Sequence, residues 1–170
     1  MDIFCEQLIK IRKTAKDYTF ITLIWVAAVA LVYILVLLSR VYAAFMSILL
    51  LAPVGVIYGA FKQVSLLSIE YEYIVVNRDL DVDKITAKSS RKRMVSIKLN
   101  EVEAYGAYDE AAKAKLQNRT FDARFICCNA DDPATYLVVR HAKKGLVLVV
   151  LAMNERTETE VLKSIPRTAR

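Results

Sequence analysis

From Tyr18 to Leu38, and again from Ala43 to Phe61, the chain runs for 21 and 19 residues without one charged or amide side chain; only Ser39-Arg40-Val41-Tyr42 separates the runs. At ~1.5 Å of rise per residue, either run as a helix spans a hydrocarbon core of ~30 Å. The pattern predicts a membrane hairpin of two α-helices, 18–38 and 43–61. A secretory signal has an apolar stretch of only ~7–15 residues, and a soluble domain of this size rarely hides two helices that are apolar all round. With no ionisable group inside them, the spans carry no proton relay or ion path, which argues against a pump or transporter.

Within the second run, Gly55-Val56-Ile57-Tyr58-Gly59 places two glycines one helical turn apart, where another helix can come close. That neighbour is either the first span, which offers Ala27, Ala28 and Ala30, or a second copy of the chain. Pro53 predicts a bend. Tyr18, Tyr42 and Tyr58 lie near span ends, where amphipathic rings rest, whereas Trp25 lies deeper than an interfacial Trp should.

Ahead of the first run, residues 1–17 form an amphipathic segment. Phe4, Leu8, Ile11 and Ala15 recur at helical spacing, with Lys10, Arg12, Lys13 and Lys16 on the remaining faces. Such a helix lies flat among the headgroups or extends the first span into the cytoplasm.

Beyond Phe61 uninterrupted apolar sequence gives way to alternation, so residues 62–170 read as a separate domain. Tyr71, Tyr73 and Val75 alternate with Glu72 and Ile74; Asn77-Arg78-Asp79 supplies a turn, and Leu80 and Val82 resume the pattern. The alternation slips near Asp83-Lys84, which predicts a bulge. Val95, Ile97 and Leu99 face one way along a third strand. Asp109–Asn118 reads as a short surface helix, acidic at its start and basic later. Strands follow over Phe121–Cys128, Ala134–Arg140 and Leu146–Ala152, six in all. The last is so continuously apolar that both its faces must be covered. A C-terminal helix from about Asn154 to Ile165, with Val161, Leu162 and Ile165 buried and a capping box at Thr157 to Glu160, is the element placed to cover it.

Glu70 to Ile85, followed by the basic Arg91-Lys92-Arg93 ahead of a strand, resembles the opening strands of bacterial pleckstrin-homology-like (PH-like) domains, and the whole chain resembles an uncharacterised family of small two-span bacterial membrane proteins that carry such a domain. The resemblance implies an antiparallel β half-barrel or barrel of seven strands closed by a C-terminal helix, with Asp109–Asn118 as an insertion. The fold class expected is therefore a membrane α-helical hairpin plus an α+β cytoplasmic domain.

Charge sets the orientation. The chain carries 24 Lys and Arg against 18 Asp and Glu. Lys10, Arg12, Lys13 and Lys16 precede the first span and Lys62 follows the second, while the link holds Arg40 alone. Since flanking cations stay on the cytoplasmic side, both termini are expected in the cytoplasm of a multi-pass plasma-membrane protein. Beyond Lys62 cations and anions nearly balance, which argues against nucleic acid as a partner.

Little in the chain suggests catalysis. His141 is the single histidine and stands at a strand end. Cys127 and Cys128 are adjacent on a strand and so point to opposite faces, unable to hold one ion together. Four glycines in total do not make a phosphate-cradling loop. The pairs Glu70/Glu72, Asp81/Asp83 and Glu101/Glu103 each share a strand face, where they bind a hard cation or, more simply, form a solvated face beside basic neighbours. No metal, cofactor or enzymatic activity is expected.

The run Lys88-Ser89-Ser90-Arg91-Lys92-Arg93 stands out, with four cations at an expected hairpin turn. An anionic leaflet attracts each nearby cation by about 1 kcal/mol, so Lys88, Arg91, Lys92 and Arg93 together contribute ~3–4 kcal/mol if they reach the headgroups. Solvation alone, or an added cytoplasmic-retention signal, accounts for the run equally simply. The function expected is a membrane-anchored, non-enzymatic binding or scaffold module that contacts anionic lipid headgroups or another membrane protein. The other reading is an assembly subunit that associates, as a homodimer or in a larger complex, through Gly55 and Gly59.

Overall fold

The computed structural model describes residues 4–41 and 46–169. They form two compact units, one of residues up to Ile11 together with Glu70 onward, the other Arg12–Ile69. Tyr42, expected at a span end, lies outside the described residues.

The second unit consists of two helices in contact, α1 (Ala15–Val41) and α2 (Met46–Leu66). Asp17 starts α1 by reaching back to the Thr14 amide, which donates to Oδ2 at 2.7 Å. Over Ala15–Leu38, α1 is long and apolar enough to cross a membrane. Only 6 % of that stretch is buried, unlike the core helix of a soluble domain. α2 contains Pro53, and its described apolar part is Leu51–Leu66. Trp25 has a packing role: its ring meets that of Phe61 edge-on, with centroids 5.0 Å apart.

The first unit holds two four-stranded sheets. Sheet A comprises β1 (Phe4–Lys10), β2 (Ile69–Val76), β3 (Asp79–Thr86) and β4 (Ser90–Lys98), in that order. Sheet B contains β5 (Val102–Ala107), β6 (Ala123–Ile126), β7 (Thr135–His141) and β8 (Gly145–Leu151), ordered β5-β7-β8-β6 with β6 parallel to β8. The main core unites Tyr73, Val75, Leu80, Val82, Val95 and Ile97 of sheet A with Leu137, Val139, Val147, Val149 and Leu151 of sheet B. Val161 of α4 (Glu155–Ser164) and Ile165 just beyond it belong to the same core. A smaller cluster sits on the other face of sheet B, where Leu116 of α3 (Glu110–Gln117) meets Val138, Leu148 and Val150.

Several expectations change. The N-terminal segment is a strand where an amphipathic helix was expected: Cys5, Gln7 and Ile9 oppose Val75, Tyr73 and Tyr71 on the core side of β2. Its spacing suits either period over so short a run, and the free edge of β2, distant in sequence, decides. Gln7 fastens this strand to the start of α4, donating to the Ala152 carbonyl and accepting from the Asn154 amide, each at 2.9 Å. Strand β5 was also missed, so the described residues hold eight strands where six were counted. As expected, β8 is covered on both faces, but α3 covers one of them, so α3 is more than a surface helix. The cap of α4 is Asn154, whose side chain accepts from the Thr157 amide, in place of the capping box expected from Thr157. The expected slip near Asp83 is a register shift between Val82 and Asp83, with Met94 the extra residue on β4.

Candidate functional site

Alternation along sheet A sorts its side chains by face. Tyr71, Tyr73, Leu80, Val82, Val95 and Ile97 point to the core side; Glu70, Glu72, Asp81, Asp83, Arg91 and Arg93 occupy the other. The carboxylates there are not the solvated face expected. Glu72 and Asp83 are 2 % and 3 % exposed, and Glu70 is buried as well. Burial of that depth requires partners, and two arginines from the basic run provide them. Arg91 Nη2 donates to Glu72 Oε1 at 2.8 Å. Arg93 spans two carboxylates, Nε to Asp83 Oδ1 at 2.8 Å and Nη1 to Asp81 Oδ2 at 2.7 Å.

Glu72 Oε2 and Asp81 Oδ1 are buried without a hydrogen-bond partner among the described residues. Burial raises the Glu72 carboxyl above the ordinary range, and the neighbouring Glu6 carboxyl on the adjacent strand pushes the same way, against the nearby Arg91. Glu6 opposes Ile74 in register, so it lies diagonally across from Glu72 on one face.

The four cations expected to act together therefore divide. Arg91 and Arg93 lie within β4 and are held by acids. Lys88 and Lys92 are exposed, Lys88 in the Ala87–Ser89 turn and Lys92 on the core side, directly opposite Lys84. Ala87 and Lys88 hold left-handed backbone, with φ of 54° and 55°. Lys84 lies outside the basic run, and register alone brings it opposite Lys92.

Strand direction fixes which end of the sheet these residues occupy. Lys10, the last residue of β1, pairs with Glu70 at the start of β2. Thr86, the last of β3, pairs with Ser90, the first of β4. In an antiparallel order β1-β2-β3-β4, all four positions stand at one end, so the chain leaves for α1 and returns from α2 at the same end as the lysine-bearing turn. With strands ~4.8 Å apart, β4 is within ~15 Å of β1.

Gly55 is exposed and Gly59 half-buried; a methyl built on either meets no described atom within 4 Å. Among the described residues, the small residue of α2 that is buried is Ala60 instead, as Ala28 is on α1.

The residues considered for catalysis hold structural positions. His141 Nδ1 accepts from the Lys143 amide across its turn. Cys127 belongs to the main core, where burial pushes its thiol up to about 12, while Cys128 packs against the smaller cluster on the opposite face. Cys5 is buried, with its sulfur 3.4 Å from Thr157 Oγ1. The Cys127 thiol, held so far above neutrality, is not a nucleophile. Among the described residues, no group of three His, Cys, Asp or Glu is arranged to hold a metal ion.

The family described as "Bacterial PH-like domain (DUF6106)" matches the chain over residues 1–170. No curated protein and no solved structure matches it.

Proposed function

We propose that this chain, which belongs to the bacterial PH-like domain family, is a binding or scaffold module anchored in the membrane by α1 and α2, with its β-domain in the cytoplasm and contacting anionic lipid headgroups. PH-like domains are in general non-catalytic binding modules. One observation carries the anchored reading: the apolar helical unit is inserted between two adjacent strands, Lys10 pairing with Glu70. A chain that leaves and re-enters one folded sheet at the same end must cross a bilayer an even number of times. If α1 crosses, α2 brings the chain back, and its 21 residues span ~31 Å. Cationic residues near the spans favour the cytoplasm for the β-domain.

The same end of sheet A carries the turn with Lys88, which favours lipid headgroups as the contact. Of the basic run, Arg91 and Arg93 support the fold through Glu72, Asp81 and Asp83, and Lys88 and Lys92 are left exposed. The full chain is expected to remain with membranes through an alkaline carbonate wash. Release into the supernatant would overturn the anchored reading.

A second reading is supported by the open space at Gly55 and Gly59, which leaves that face of α2 free for another transmembrane helix, including a second copy. Gly55→Leu with Gly59→Leu is then expected to abolish chemical crosslinking between chains in nanodiscs loaded with two copies. Unchanged crosslinking would remove this surface.

A further inference from the structure

We propose that Lys84, Lys88 and Lys92 form a phosphate-binding site, occupied by headgroup phosphates of the membrane that holds α1 and α2; the source of the phosphate rests on the anchored reading above. Lys84 and Lys92 are directly opposed in register, one on β3 and one on β4. Side chains in that relation stand ~5 Å apart at Cβ, and like charges there destabilise a sheet. The next pair along the same two strands follows the opposite rule, with Asp83 opposed to Arg93. This hairpin therefore neutralises charge on one face and leaves it repelling on the other.

Among the described residues, no ion pair offsets that repulsion. Glu70, Glu72, Asp81 and Asp83 all lie on the opposite face, where Glu72 pairs with Arg91 and both aspartates pair with Arg93. Among the described residues, Lys84, Lys88 and Lys92 have no ion-pair partner. Lys88 crowns the same hairpin from the 87–89 turn, where Ala87 and Lys88 are left-handed just as Asn77 and Arg78 are in the β2–β3 turn, the backbone that tight hairpin turns favour. An anionic ligand offsets opposed ammonium groups of this kind. A phosphate group suits the site: it carries negative charge and several acceptor oxygens, and each ammonium offers three donors. The chain leaves sheet A for the helical unit, and returns from it, at the end that carries this hairpin, a connectivity that favours headgroup phosphate as the source.

The test uses the full chain in nanodiscs of phosphatidylcholine alone or with phosphatidylglycerol. Labelling of lysines by an amine-reactive reagent is read by peptide mass spectrometry, with the exposed Lys115 as internal control. Lys84, Lys88 and Lys92 are expected to be protected in the anionic discs only, and molar salt should remove the protection. In the Lys84→Ser, Lys92→Ser double variant the contact read at Lys88 weakens by roughly fivefold per lysine removed, the factor given by about 1 kcal/mol per cation. Equal labelling in both discs overturns the site. Protection in neutral discs by millimolar inorganic phosphate overturns the lipid as its source. Failure of the chain to enter discs strikes the anchored reading, whereas incorporation without protection strikes this site alone.

Discussion

Lys10 and Glu70 stand directly opposite each other on β1 and β2, although the entire helical unit lies between them in the chain. The β-domain thus closes only when its first strand returns to its second across that unit. β1 is bound at its other neighbour too, since Gln7 holds the Ala152 carbonyl and the Asn154 amide. Gln7→Ala removes both hydrogen bonds, and a loss of about 1–3 kcal/mol is expected. Chemical denaturation of the full chain in detergent, followed by circular dichroism of the β-domain, measures it. An unchanged midpoint would mean that β1 does not anchor α4.

The basic run is expected to divide between fold and surface. Arg93→Ser leaves the buried Asp83 without its partner. Because Arg93 is itself 52 % exposed, the cost falls below that of breaking a fully buried pair, at about 1–3 kcal/mol. Lys92→Ser touches no partner and changes stability by about 0.5 kcal/mol or less. The same denaturation experiment distinguishes them, and equal effects would contradict the assignment of Arg93 to the fold.

Glu72 gives the domain a pH dependence of definite sign. Its folded pKa is raised, so between the ordinary Glu value and the raised one the folded state binds more protons than the unfolded state. Its contribution therefore favours the fold on the acid side of that window and declines as pH climbs through it. The groups facing it are Glu6 on β1, Asp83 on β3 and Arg91 on β4. Glu72→Gln removes the titration, and the difference in melting temperature between wild type and variant should shift in favour of the wild type as pH is lowered from 7 towards the ordinary Glu pKa of 4.5. A difference that stays flat with pH would show that Glu72 titrates normally.

Patterns with one partner nearby were readable in the sequence. The β2–β3 hairpin declares itself through Tyr71, Tyr73 and Val75, a turn at Asn77-Arg78, then Leu80 and Val82. β8 declares double-sided burial through its unbroken apolar run. What the sequence obscured depends on distant partners. Residues 4–10 fit a helix as well as a strand until β2 is present to pair with them. The acids of β2 and β3 resemble a solvated face because their arginines come from β4. Lys84 and Lys92 are eight positions apart, and only the shifted register at Val82/Asp83 makes them opposite. A linear cluster of charge thus says little about which cations are free, since alternation assigns neighbours to opposite faces.

The measurement that bears most directly on the account is the sidedness of the two termini. With small epitope tags at both ends and the chain in sealed, inside-out membrane vesicles, the pairing of β1 with β2 across an even-spanning insertion predicts that both tags are cleaved by added protease. One tag cleaved and the other protected until detergent is added would contradict it, because β1 and β2 could not then belong to one sheet.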